Sequence, residues 1–128
     1  MAVKAIAKGV RMSPRKVGVV AALVRGRTVA DALVILEHVP RRAAEPVRKV
    51  IESARANADY NHNYKADSLV IETISVTPGP RFKRYRPAAH GRALPYQRRT
   101  SHISVIVEGE QRSAKKPTAK KSEDKETK

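Results

Sequence analysis

The stretch Arg81 to Arg99 constrains this chain more than any other. It holds seven basic side chains and no acid in nineteen positions, and it lies between two β-branched runs, Leu69 to Val76 and Ser101 to Val107. A structureless loop of that length is unusual in a small domain and generally functional. The alternative is two extended legs folded back as a hairpin. At ~3.3 Å per residue, legs of about ten to thirteen residues would project roughly 30–40 Å. Either way the picture is a small α+β body with a basic arm.

The rest of the charge is distributed in a telling way. The chain has 128 residues, one domain's worth, and a formal charge of +15. Residues 1–80 contribute +6, residues 81–110 contribute +5 and residues 111–128 contribute +4. A compact chain this basic repels itself and calls for a dense anionic partner. The last segment has only Ala114 and Ala119 as apolar residues, so burial cannot offset its ordering entropy. A folded unit over 1–110 and a disordered Lys-rich tail over 111–128 are expected. The chain has no cysteine, which excludes disulfides, thiolate metal sites and a Cys nucleophile. No apolar run approaches the ~20 residues of a membrane span. The first residues lack the apolar stretch of a signal peptide. The expectation is a cytosolic protein with no membrane partner.

Three helices are legible in the first half. Val3, Ala5 and Ala7 alternate with Lys4, Ile6 and Lys8, which predicts a short strand with one wet face. Ser13-Pro14 reads as a helix start, Val17, Val20, Ala21 and Val24 share one face, and Gly26 supplies a left-handed stop. Thr28 starts a second helix, with Asp31 in a capping-box-like position and a stripe of Val29, Ala32, Leu33 and Leu36. The third is expected from about residue 41 to about residue 62, with Val47, Val50, Ile51, Ala54 and Ala58 buried. Pro46 fits only in or near its first turn. Thr77-Pro78-Gly79-Pro80 ends the regular ladder of the strand before it.

Catalytic chemistry is missing. His38, His62, His90 and His102 lie in separate elements without metal-ligand spacing, and there is no nucleophile elbow or P-loop. Neither a metal nor a cofactor is expected, and an enzyme reading has little support. The positive signal is Arg81-Phe82-Lys83-Arg84-Tyr85-Arg86-Pro87 and its return leg Tyr96-Gln97-Arg98-Arg99. Arg makes bidentate contacts to phosphate, and aromatic and guanidinium planes stack on unpaired bases. The plain alternative is a solvated charge run with incidental aromatics. Pro87-Ala88-Ala89-His90-Gly91-Arg92-Ala93 is a tip of small residues that would let a backbone approach another surface closely. Arg11, Arg15, Lys16, Arg25 and Arg27 bracket the first helix, whose N-terminus with Ser13 could receive a phosphate. A solvated basic face is the competing reading there. A thin arm suits a crevice in folded RNA better than a regular duplex groove.

Several motifs then occur in a distinctive order. They are Ser13-Pro14-Arg15-Lys16-Val17 closing at Arg25-Gly26, Ala54-Arg55-Ala56-Asn57-Ala58, Gly79-Pro80, Gly91-Arg92-Ala93 and Arg98-Arg99-Thr100-Ser101-His102-Ile103. Over about residues 3–109 the chain closely resembles the bacterial large-subunit ribosomal protein L twenty-two family.

The resemblance implies three helices packed on a three-stranded antiparallel sheet, with a long projecting β-hairpin over about residues 77–103. It implies a structural, non-enzymatic protein of the large ribosomal subunit that binds several domains of the large ribosomal RNA and supports early assembly. The hairpin tip would line the nascent-peptide tunnel beside ribosomal protein L four, in transient contact with nascent peptide, and no homo-oligomer is expected. Carried over by position, Arg11, Ser13, Arg15, Lys16, Arg25 and Arg27 would touch RNA on the body. Arg81, Phe82, Lys83, Arg84, Tyr85, Arg86, Arg92, Tyr96, Arg98, Arg99, Thr100, Ser101 and His102 would do so along the arm. Pro87, Ala88, Ala89, His90, Gly91, Arg92 and Ala93 would face the tunnel.

The chain departs from the family at the tip, where Ala88 and His90 stand at places that many bacterial members fill with Arg and Lys. Pro95 removes a backbone donor from the return leg, which predicts a bulge or interrupted ladder nearby. Two other readings compete with the ribosomal one. One is a free nucleic-acid-binding module such as a DNA-compacting protein, which would bind duplex DNA as tightly as ribosomal RNA. The other is an enzyme, which would lose activity on replacing one His or carboxylate.

Overall fold

The computed structural model describes residues 2–112. A first strand, β1 (Val3–Val10), is followed by helices α1 (Pro14–Val24), α2 (Val29–His38) and α3 (Ala44–His62). Two long strands, β2 (Val70–Pro87) and β3 (Ala93–Glu108), complete the fold. The sheet is antiparallel throughout, in the order β1-β3-β2. This is the expected α+β arrangement of three helices and three strands.

The core forms because the helical and strand periods present their apolar residues to the same layer. Val17, Val20 and Val24 of α1, and Val47, Ile51 and Ala54 of α3, are fully buried. They meet Ile71, Ile74, Ile103, Val105 and Val107 from the helix-facing side of the sheet. Each of these valines and isoleucines contributes about 1.5–3 kcal/mol by leaving water. Leu33 is only partly buried and packs at the edge of this cluster.

The helix ends follow local chemistry. Pro14 occupies the first turn of α1 and Gly26 adopts φ +72 just beyond its end. Thr28 Oγ1 accepts from the Asp31 N–H at 3.2 Å and caps α2. Pro46 sits in the first turn of α3, where its missing N–H has no intrahelical partner to lose. Asn63, at φ 53, closes that helix in the left-handed region. Helix α3 starts at Ala44 rather than near 41. Arg41 and Arg42 belong to a tight turn, in which the Arg41 N–H donates to the Val39 carbonyl and the Ala44 N–H to the Arg41 carbonyl.

The two long strands continue beyond the body as a hairpin. Seven successive pairs run from Arg81↔Arg99 to Pro87↔Ala93. At ~3.3 Å per residue these legs span roughly 20–25 Å before the tip. The reach is shorter than the expected 30–40 Å because both legs are still part of the body sheet as far as Pro78 and Ser101.

Thr77–Pro80 interrupts the ladder without ending the strand. The register shifts between Pro78 and Arg81, so Gly79 and Pro80 stand opposite the single residue Thr100. Strand β1 shifts likewise between Ala7 and Val10. The arm therefore leaves the body between two bulges, which bend and twist a sheet locally.

The bulge expected near Pro95 is absent, since Tyr85↔Pro95 lies within an unbroken register. Beyond Val10 there is no β1 on that side of β3, so the Pro95 nitrogen can face the open edge where no donor is needed.

At the C-terminal end, Gln111 bridges to Tyr64. The Arg112 N–H donates to the Asn63 carbonyl at 2.7 Å, and its guanidinium meets Asp59 at 3.1 Å. These two residues are held to the body. The rest of the expected tail, 113–128, lies outside the described residues.

Candidate nucleic-acid interface

Strand alternation sorts the arm into two faces. Phe82, Arg84, Arg86, Leu94, Tyr96 and Arg98 share one, because Phe82 is paired with Arg98, Arg84 with Tyr96 and Arg86 with Leu94. Arg81, Lys83, Tyr85, Gln97 and Arg99 share the other. On the first face the Arg86 guanidinium lies 4.6 Å from the Tyr96 ring centroid and that of Arg84 lies 5.7 Å from Phe82. These stacks lay the guanidinium groups along the arm, and that of Arg84 also donates to the Lys83 carbonyl at 2.8 Å. Phe82 and Tyr85 are 46% and 68% exposed, which no isolated core would favour and which suits stacking on bases.

On the second face, Arg81 lies directly opposite Arg99. Like charges so paired are destabilising by up to about 1 kcal/mol unless an anion lies between or above them. None of the arm's cations has an acidic partner among the described residues.

The tip closes through the Ala88 N–H, which donates to the Arg92 carbonyl at 2.7 Å. His90 and Gly91 both take positive φ, +57 and +66. His tolerates this region better than most side chains, though a residue held there still costs about 1 kcal/mol or more. The Arg92 side chain folds back to the Ala89 carbonyl at 3.4 Å.

Around the arm's root the expected contacts divide. Arg11, Ser13 and Lys16 come together with Arg98 and Arg99 along a groove of about 600 Å³. Ser13 makes no side-chain cap bond, so its hydroxyl stays available. Arg15 is exposed on α1 but does not line that groove. Arg25 and Arg27 lie at the far end of α1, about 16 Å away along an eleven-residue helix. Arg25 donates to the Ile74 carbonyl, and Arg27 to that of Leu23. They tie α1 to the sheet and close its last turn.

Thr100, Ser101 and His102 lie at the arm's root. Ser101 is fully buried, Thr100 is 4% exposed and His102 is half-buried. The Thr100 hydroxyl donates to the Pro80 carbonyl at 2.7 Å. His102 Nδ1 accepts the Gly9 N–H at 2.9 Å, and Gly79 packs against the other side of its ring. The three residues build the junction between the bulges.

Sequence reasoning missed Arg41 and Arg42, which line the same groove as Arg98 and Arg99. The expectation that the third helix starts near 41 gave this pair no role of its own. The available signal was the adjacent basic pair directly after Val39-Pro40.

Among the described residues no group of three or more His, Asp or Glu side chains could hold a metal ion, and no helix is long and apolar enough to cross a membrane. A small α+β body bearing a two-faced arm of arginines and exposed aromatics has the chemistry of a nucleic-acid interface.

The comparisons carry this to a family. The model of ribosomal protein L22p/L17e matches residues 5–108. Large ribosomal subunit protein uL22 of Desulfitobacterium hafniense strain Y51 is 52% identical over 104 residues, covering 81% of this chain and 91% of the relative. The protein of the same name from strain DSM 10664 / DCB-2 matches to the same extent. The chain belongs to the ribosomal protein L22p/L17e family, whose members are structural and not enzymatic.

Proposed function

We propose that this protein is a cytoplasmic constituent of the large ribosomal subunit whose arm is ordered against large ribosomal RNA and whose body anchors it. The observation that carries the reading is the arm itself, which projects seven paired residues per leg with cations and aromatics on its faces and no acid. Phosphate neutralisation supplies affinity, and stacking by Phe82, Tyr85 and Tyr96 supplies preference for unpaired bases. The identity to curated large-subunit proteins supports the same reading.

On this reading the protein joins several RNA domains and supports early subunit assembly. Pro87, Ala88, Ala89, His90, Gly91, Arg92 and Ala93 face the nascent-peptide tunnel, near ribosomal protein L four and in passing contact with nascent peptide. The narrow backbone turn at His90-Gly91 fits a crowded passage. Arg84→Glu and Arg99→Glu place an acid where a phosphate is expected, so each should reduce the yield of mature large subunits. Normal yield with both variants would overturn the proposal.

A further inference from the structure

The fold covers one outer edge of the sheet and leaves the other open. Along β2 the segment between α1 and α2 closes the edge. The Gly26 N–H donates to the Ile71 carbonyl at 3.1 Å, the Ile71 N–H to the Arg27 carbonyl at 2.9 Å and the Val29 N–H to the Leu69 carbonyl at 2.9 Å. Among the described residues β1 pairs with β3 alone, and its outer edge has no such cover. Alternate backbone N–H and C=O groups face outward there, which makes a template for one more strand.

A groove runs along this open edge. Ala5, Ile6 and Ala7 line it from β1. Pro46, Lys49, Val50 and Ser53 line it from α3, at the i, i+3, i+4, i+7 spacing of a single helix stripe. Ala5 and Ala7 pack toward the helices, while Ile6 is 49% exposed on the opposite face. A space that all three border therefore lies beside the strand, between its edge and α3. Its one cation, Lys49, is bound to Glu45 at 2.9 Å, and this bond, with the Lys49 charge, keeps the Glu45 carboxyl below the usual range. Lys4 and Lys8 stand two residues to either side of Ile6. Both are exposed, and neither has an ion pair among the described residues.

We propose that the open edge of β1 beside α3 is a docking groove for an extended acidic segment of another protein, which joins the sheet as a fourth strand. Adding an extended segment to a free sheet edge is a recurrent mode of recognition. Cross-strand pairing sets the segment's pattern. Residues opposite Lys4 and Lys8 carry carboxylates four positions apart, and the residue between them opposite Ile6 is apolar. The two alternate residues face Ala5, Ala7 and the α3 stripe, and are also apolar. A second copy of this chain fits poorly, because antiparallel pairing of β1 with itself about Ile6 sets Lys4 opposite Lys8 twice. The chain's own Lys115, Lys116, Lys120 and Lys121 would bring the same repulsion. RNA phosphate answers the outward N–H groups but offers no donor to the outward carbonyls, whereas a peptide backbone answers both.

The test uses the full chain and a capped synthetic peptide, Thr-Glu-Val-Val-Val-Glu-Thr, followed by nuclear magnetic resonance. The peptide should slow hydrogen exchange at the outward N–H groups of residues 4–8, shift the amide signals of residues 46–53 and leave those of the arm unchanged. The peptide Thr-Val-Glu-Val-Glu-Val-Thr has the same composition but sets its carboxylates two positions apart, so only one can face a lysine. It should bind roughly tenfold more weakly. N-methylating one alternate set of amides in the first peptide should abolish binding, and methylating the other set should leave it intact. Lys4→Glu with Lys8→Glu should weaken the first peptide roughly tenfold and favour Thr-Lys-Val-Val-Val-Lys-Thr instead. That exchange of preference separates charge from misfolding. Ser53→Trp, which fills the groove from an exposed position on α3, should block both peptides.

Equal binding of the two carboxylate spacings, or binding that survives N-methylation of either set, would overturn strand addition. Polyuridylate that slows exchange at the same β1 amides would give the edge to RNA and overturn it too. Slowing that grows with protein concentration alone would give the edge to a second copy, against the proposal. None of these outcomes touches the ribosomal reading, which rests on the arm.

Discussion

Gly79→Ala should destabilise the protein by about 2 kcal/mol, for a reason confined to the arm's root. The φ of Gly79 lies outside the left-handed region, so its backbone accepts a side chain. Space is the obstacle. A Cβ there would lie 2.5 Å from Thr100 Oγ1 and 3.2 Å from His102 Cε1. Thr100 can yield only by turning about χ1, which breaks its 2.7 Å bond to the Pro80 carbonyl. Overpacking costs about 1–3 kcal/mol. The lost hydrogen bond adds about 0.5–1.5 kcal/mol. The reduced entropy of the unfolded chain offsets about 0.4–1 kcal/mol. Urea denaturation followed by circular dichroism would read the difference, and Tm should fall by roughly 8 °C. The decisive comparison is the same substitution beside Thr100→Ala, where the hydroxyl is gone. There the added methyl should cost at least about 1 kcal/mol less, because the two sites share one clash. An equal cost in both backgrounds, or no cost in either, would refute the packing argument.

Other perturbations separate the body from the arm. Ile103→Ala empties a fully buried site in the core between the helices and the sheet and should cost about 2–5 kcal/mol by equilibrium unfolding. Thr28→Ala removes the α2 cap and should cost about 1 kcal/mol in the same assay, with RNA affinity unchanged. The depressed Glu45 carboxyl adds stability above the ordinary carboxylate range that is lost as pH falls through its folded value. Glu45→Gln should therefore weaken the protein slightly at neutral pH and not at all in strong acid, as read by Tm across pH. Phe82→Leu keeps the bulk of that side chain but not its ring. It should weaken binding to single-stranded RNA by about 1–3 kcal/mol without changing the salt slope, as read by filter binding.

The helical half was legible because its signals are local. The stripe Val17, Val20, Ala21 and Val24 is buried as read, and Thr28 caps as its spacing to Asp31 implies. The strand face Ile103, Val105 and Val107 was legible for the same reason. What escaped depends on register between distant segments. Nothing local says that Lys8 and Gly9 bulge opposite His102, or that Gly79 and Pro80 bulge opposite Thr100. Those two displacements turn Thr100 and His102 into junction residues. Pro95 was misread because a missing donor matters only on a side that has a neighbour, and β1 stops before reaching it. The Arg41-Arg42 pair was missed because its place becomes visible only when the start of α1, the turn before α3 and the arm's return leg border one groove.

Sedimentation of this protein from a native cell lysate, with and without ribonuclease, tests the central claim most directly. The account predicts migration with the large ribosomal subunit, abolished when the RNA is digested. Migration as a free small protein, or with DNA and insensitive to ribonuclease, would contradict it.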